Sequence, residues 1–341
     1  MNINNNNVTR QIIILLLIST VFFTCNNRQK EGNIKSLETN YSLASLPNDT
    51  LFNRQIIYSS SDNGKTWNPA IKGLPTDTKA SFLEKKGNEI VLGSENQGIF
   101  ITENDRKKWK DIGEKLPSTR INALHISGEE IYAGLYNEGV YLTKNDGGLW
   151  QSLNKGLPNL KVQGILKIND EILVGTDIGI YKTKDDLINW KLKYSGLQIL
   201  SLQEVNGKII AGTSNGVLLS SDNGETWKNI HNEGAIHYTS VFGKDIFALY
   251  MSGDVFMSED FGSTWVEFMY TPRKSAYIYE LVGKNEYLIM NNSYGVFQSV
   301  DNGQNWKHIF NEERFVFFDF IVFDNVIYGG TRPSNEYRNR N

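Results

Sequence analysis

From residue 55 onward the chain alternates apolar and polar residues in short runs, with Gly, Asn and Asp between them. Residues 120–153, RINALHISGEEIYAGLYNEGVYLTKNDGGLWQSL, show the pattern. Period-two alternation predicts strands at INALHIS, IYAGLY, VYLTK and LWQSL, with turns at SGEE and NEG. The junction between the second and third strands recurs as GSENQGIF, GLYNEGVY, GTDIGIY, GTSNGVLL, SGDVFM and NNSYGVF. A unit of four short antiparallel strands therefore repeats along the chain.

The tryptophans give the period. Trp67, Trp109, Trp150, Trp190, Trp227, Trp265 and Trp306 are spaced by 42, 41, 40, 37, 38 and 41 residues. A period near 40 residues marks a stacked supersecondary unit. The octets ending in these residues are SSDNGKTW, TENDRKKW, TKNDGGLW, TKDDLINW, SSDNGETW, SEDFGSTW and SVDNGQNW. The first, fifth and sixth keep Ser-x-Asp-x-Gly-x-Thr-Trp, and the seventh lacks only the Thr. A strand reversing within a few residues wants Gly where φ is positive. An Asp two residues earlier accepts hydrogen bonds from the turn, the Ser or Thr adds another, and the Trp packs the turn onto its neighbour. Asp62, Gly64, Asp185, Asp222, Gly224, Asp260, Gly262, Asp301, Gly303 and the seven Trp are thus expected to be structural.

These octets resemble the Asp-box, or BNR repeat, of sialidases, the sortilin family, xyloglucanases and photosystem II assembly factors. The resemblance covers nearly all of residues 55–330 and implies an all-β, seven-bladed propeller of four-stranded antiparallel blades. The chain enters at a third strand, RQIIYSS, and leaves after a second strand, VIYGG. The last blade is therefore expected to join strands at 315–321 and 325–330 to strands at 55–60 and 66–70, closing the ring without a free edge. The organisation read from the chain is residues 1–24 as signal peptide, 25–50 as lipidated cysteine and tether, 51–335 as one propeller and 336–341 as a tail.

The N-terminus carries a different signal. IIILLLISTVFF, residues 12–23, is too short to span a bilayer and suits the h-region of a signal peptide. Cys25, the single cysteine, follows directly and resembles the lipobox cysteine of bacterial lipoproteins, although Phe22 and Thr24 stand where that family prefers Leu and Gly, Ala or Ser. The alternative is a plain secretory signal with an incidental cysteine. Residues 26–50 are polar and unpatterned, as a flexible tether would be. The expected location is the bacterial cell envelope, with a membrane attachment through lipid only. The net charge of −3 carries no basic patch of the kind nucleic-acid binding uses.

Topology divides the loops between two faces. The octets and the first-to-second turns share one face; the second-to-third turns and the inter-blade connections share the other. Of six arginines between residues 51 and 335, Arg54, Arg120, Arg273, Arg314 and Arg332 map to the second face, and Arg106 lies in an octet. Arg presents a planar fork suited to carboxylate or phosphate, so the five are candidates for binding an anionic ligand or partner. The bland alternative is that the inter-blade loops are simply longer and collect them. Glu95, Tyr136, Glu138, Asp177, Tyr250, Asp254, Tyr277 and Tyr294 fall on the same face. The sialidase resemblance would require three converging Arg, a Tyr–Glu pair and an Asp, but the family's Arg-Ile-Pro stretch is replaced by FNRQII at 52–57.

No loop insertion of the kind that builds a glycosidase cleft is present, and catalytic residues favour long loops. His125, His231, His237 and His308 are scattered, no metal-ligand spacing occurs, and SDNG lacks the Glu that a calcium loop needs. No catalytic residue, cofactor or metal is assigned. GLP after the octet, in IKGLP, EKLP and NKGLP, resembles the single-propeller assembly factors and the xyloglucanase repeats. That resemblance implies an exported, non-catalytic binding scaffold, and the reading adopted is a monomeric domain that binds a protein or glycan. The alternative is an exo-acting glycosidase of sialidase type.

Overall fold

Second strands such as EIYAGL and EILVGT bury every residue after the first, because each is packed on both faces by neighbouring blades. The fold is described here from a computed structural model, which describes residues 56–103, 106, 108–184, 189–242, 244–268, 277–284, 287–310 and 315–333. Cys25, the tether, Arg54, Asp185, Arg273, Arg314 and the tail from 336 lie outside the described residues.

Seven four-stranded antiparallel sheets form the ring. Blade 1 comprises Ala80–Lys86, Glu89–Ser94, Ile99–Glu103 and Lys108–Asp111, and blade 2 comprises Ile121–Ser127, Glu130–Leu135, Gly139–Thr143 and Gln151–Ser152. Blades 3, 4, 5 and 6 begin with Val162–Ile168, Ile199–Val205, Ile236–Phe242 and Ile278–Lys284. Blade 7 pairs Phe315–Phe323 and Val326–Pro333 with Ile57–Ser60 and Asn68–Pro69. Its closing register sets Ile57 opposite Gly330 and Ser60 opposite Ile327. The chain is a seven-bladed β-propeller.

Two local features differ from expectation. The fourth strand of blade 2 is only Gln151–Ser152, and the strand after Trp67 is only Asn68–Pro69. In both, the Trp leaves the ladder to pack sideways. The first strand of every blade also carries an irregularity near its start, at Ser81, Asn122, Gln163, Leu200, His237, Tyr279 and Phe318. A bulge re-aims the side chains around it.

The octets are hydrogen-bonded turns. Ser60 Oγ donates to Asp62 at 2.8 Å and accepts from Gly64 N at 2.7 Å. Asp62 also accepts from Thr66 N at 2.8 Å and Thr66 Oγ1 at 2.6 Å. Asp222, Asp260 and Asp301 repeat the arrangement, with Asn305 replacing the Thr beside Asp301. In blade 2, Asn145 stands in for the Asp and still accepts from Leu149 N at 2.9 Å. The bonds from Thr226 hold the Asp222 carboxyl down at about 2. Two consecutive residues take positive φ here, as in Asn63 (62°) and Gly64 (82°), so the Asn of Asn-Gly is selected along with the Gly. Phe261 occupies the same position at φ 56°, where a bulky residue is strained.

The Trp residues join blades. Trp150, Trp190 and Trp265 donate Nε1–H to Ile112 O, Leu153 O and Ile230 O of the preceding blade at 2.8, 2.8 and 2.9 Å. Trp67, Trp227 and Trp306 donate instead to Gly64, Gly224 and Gly303 of their own turns. Trp109, whose octet carries Arg106 for Gly, leaves its buried Nε1 unpartnered among the described residues. Lys86 links blade 1 to Glu129 and Asp146 of blade 2, and Lys182 links blade 3 to Glu225 of blade 4. These contacts occupy the octet face with structural work.

Candidate binding face and axial mouth

Of the expected anion-binding arginines, the described two differ in setting. Arg120 is exposed, and its guanidinium lies 3.8 Å from the Tyr136 ring centroid. Arg332 is 6% exposed: it pairs with Glu95 at 2.7 Å, donates to Ala80 O and Ser81 Oγ, and stacks 3.4 Å above Phe318. Arg332 is thus a latch between blades 7 and 1, already holding its carboxylate. Arg332 is engaged in the seam between blades 7 and 1, whereas Arg120 presents its guanidinium at the surface over Tyr136.

Other predicted face residues are also committed. Asp177 accepts from Lys161 at 3.2 Å and Gln198 at 2.9 Å. Tyr250 is buried and hydrogen-bonds His231 Nε2; burial first, then Glu233 and Asp254, push its hydroxyl up to about 12. Asp254 accepts from Ser252 at 2.7 Å. Glu138 lends its carbonyl to Asn154 Nδ2 at 2.7 Å. Tyr136 and Tyr294 remain 40% and 41% exposed, and Leu160, Ile178 and Met251 are exposed in loops of the same face. This rim of apolar side chains spans blades 2, 3, 5 and 6.

Sequence reasoning missed what lies at the axis. The residue that follows the bulge in each first strand is Phe82, Ala123, Gly164, Ser201, Tyr238, Glu280 and Asp319. Blades 5 to 7 therefore place a phenol and two carboxyls where the other blades are apolar or small. Glu280 Oε2 accepts from Phe320 N at 2.8 Å, and Asp319 Oδ2 accepts from Leu83 N at 2.6 Å. The second bond brings Asp319 beside Glu84 of blade 1. Gln203 of blade 4 hydrogen-bonds the Tyr238 hydroxyl.

Burial raises every acid in this group. Glu84 is pushed up to about 8, by desolvation and then by Asp319. Asp319 is pushed up to about 6 by desolvation, against the pull of Leu83 N and other donors. Glu280 is held well above the usual range by burial and by Asp319, to which its protonated carboxyl donates. Glu84, Asp319, Tyr238 and Gln203 nevertheless keep partial solvent access, so water reaches them along the axis. Nearer the open face the bulge residues of blades 5 to 7, with Tyr277, form an aromatic belt. His237 lies 4.7 Å from Tyr277, Tyr277 5.0 Å from Tyr279, and Tyr279 5.5 Å from Phe318, centroid to centroid. No group of three His, Cys, Asp or Glu among the described residues is arranged to hold a metal ion. Aligning the first strands would have exposed the cluster, because YTS, ELV and DFI break the pattern of the other blades.

The fold has solved counterparts. YCF48 bound to D1 peptide matches at 18% identity and TM-score 0.63, over 77% of this chain and 95% of that one. The extracellular domain of a putative one-component system from B. thetaiotaomicron matches at 16% identity and TM-score 0.63, over 77% of this chain but only 38% of that one. A GH74 enzyme of Niastella koreensis matches at 12% identity and TM-score 0.54, over 74% of this chain and 43% of that one. At these identities the likeness is one of fold. No protein-family model matches the sequence, and no curated protein matches it.

Proposed function

We propose that this protein is an exported, membrane-tethered, non-catalytic propeller that binds a protein partner through the face opposite the octets. The carrying observation is the exposed rim of that face: Tyr136 under Arg120, with Leu160, Ile178, Met251 and Tyr294. Tyr and Arg are common interface anchors, and exposed apolar side chains beside them favour a macromolecular partner. Similarity of fold to a propeller bound to a peptide and to an extracellular domain agrees with this reading. Cys25 is the proposed lipid attachment, and the polar stretch to residue 50 the tether.

Proximity labelling from the intact protein tests the face. Partners labelled by the wild type should be lost with Arg120→Glu combined with Tyr136→Ala at unchanged Tm; unchanged labelling overturns the reading. Cys25→Ser should release the protein from membranes. A sialidase-type glycosidase is the second reading, favoured by Tyr238 lying near Glu280 and opposed by the commitment of Arg332 to Glu95. Sugar release from sialosides or β-glucans, lost in Glu280→Gln, would replace the scaffold with the enzyme.

A further inference from the structure

We propose that the axial mouth between blades 5, 6, 7 and 1 binds a primary alkylammonium, presented as a lysine side chain of the peptide or protein partner. The proposal rests on reading the open face as a partner surface and assigns that surface its central pocket.

Three observations meet there. First, carboxyls from three blades meet on one side of the axis: Glu84 and Asp319 keep partial solvent access, and Glu280, 3% exposed, sits behind them bonded to Asp319, with Tyr238 and Gln203 completing the wall. The cation that acts on Asp319 is Arg332, and its charge is already matched by Glu95 at 2.7 Å. No cation acts on Glu84 or Glu280 among the described residues, so once they ionise they lack a counter-charge. Second, the side-chain amide of Asn291 is wholly buried, and neither Nδ2 nor Oδ1 has a partner among the described residues. Asn291 stands directly opposite Glu280 in the sheet register, so both side chains leave the same face of blade 6. A buried amide with no partner is expensive to keep and calls for a reason. Third, the entrance is lined by His237, Tyr277, Tyr279 and Phe318, whose faces attract a passing cation and whose bodies pack an alkyl stem.

The geometry selects ammonium over guanidinium. Carboxyls on three separate blades, Glu280 and Asp319 at one level and Glu84 deeper, offer single acceptors along a shaft, which suits a compact group with three donors; a planar fork suits one bidentate carboxylate. Depth agrees as well. Tyr238, Glu280 and Asp319 sit one residue below the bulge and Glu84 three below it, roughly 3 and 10 Å along the strand at 3.3 Å per residue. The reach of an extended lysine side chain falls within that interval. The cation would replace protons that the acids otherwise retain, so binding releases protons and tightens as pH rises, by at most about tenfold per pH unit for each proton released.

Calorimetry with the full chain tests this at pH 5.5 and 8.5. The probes are acetyl-Gly-Lys-Gly-amide, its norleucine counterpart and n-butylamine. The expected result is that the lysine peptide binds at least tenfold more tightly than the norleucine peptide at pH 8.5 and at least tenfold more weakly at pH 5.5. Glu280→Gln, isosteric with the protonated acid, should lose at least tenfold at unchanged Tm. If that variant does not fold, Tyr277→Ala at the entrance should lose about fivefold, as expected for one cation–π contact of about 1 kcal/mol. Binding of n-butylamine without any gain from the peptide supports the pocket and counts against the peptide reading of the face. Equal binding of lysine and norleucine peptides, or no binding of either lysine peptide or n-butylamine at pH 8.5, overturns the proposal. Loss of partner labelling in the Arg120 and Tyr136 variant is independent of these arms.

Discussion

Blades 2 to 4 and blades 5 to 7 use the same inner-strand positions for different ends. In blades 2 and 3 a glycine faces the opening strand of the next blade at close quarters. A Cβ on Gly134 would lie 3.0 Å from Val162, and one on Gly175 would lie 2.5 Å from Ile199. The residues after the bulge, Ala123, Gly164 and Ser201, are correspondingly small, and the first strands approach tightly. In blades 5 and 6 the glycine is replaced by Leu249 and Asn291, and the residues opposite are Tyr238 and Glu280. Repetition is conserved where it holds the ring together and abandoned around one side of the axis. A stacked fold tolerates this because each blade meets only its neighbours. Local rules broken together, in adjacent units, are where function is expected.

Substitutions on the two sides should therefore separate stability from chemistry. The largest effect belongs to the regular side. Trp150→Ala removes a buried indole and its bond to Ile112 O, and should cost roughly 3–5 kcal/mol, read as a lowered denaturant midpoint. A comparable loss from Glu280→Gln would break the contrast, since the protonated acid and its amide are nearly isosteric.

Next comes pH. Glu84 at about 8 and Asp319 at about 6 are raised above their ordinary values by burial. Raised acids contribute stability that is fully present below the unfolded pKa, near 4, and is lost as pH climbs through the folded values. The Tm should accordingly fall as pH rises from 5 to 8.5. Glu84→Gln should flatten the upper part of that slope, whereas Asp222→Asn on the octet face should leave it unchanged in this range, because Asp222 titrates at about 2.

A smaller effect tests the price of the axial polarity. Asn291→Leu copies the residue of blade 5 and removes an unpartnered buried amide. It should stabilise the ligand-free protein by about 1–3 kcal/mol, seen as a raised Tm, while weakening alkylamine binding. A destabilised variant with intact binding would show that the amide has structural partners instead. The smallest effect returns to the octets. Phe261→Asn relieves a bulky residue at φ 56° and should raise stability by about 0.5–1 kcal/mol, measured by chemical denaturation.

The period of the Trp residues, the alternation within each unit and the strand types at the two chain ends determined the fold class, the blade count and the closure. Those features are local or strictly periodic, and local hydrogen bonding with period-two burial is what a linear string encodes. The octet chemistry at Asp62 and Asp222 was legible for the same reason, since donor and acceptor are four residues apart. The site was legible only as a face. Arg332 looked free in the sequence because Glu95, its partner, is 237 positions away. Glu280, Asp319 and Glu84 read as ordinary strand polars until a bulge turned them inward and the ring brought blades 6, 7 and 1 around one axis. Closure of the ring is a property of the whole chain, and only tertiary structure could decide which acids share a low-dielectric space and hold their protons there.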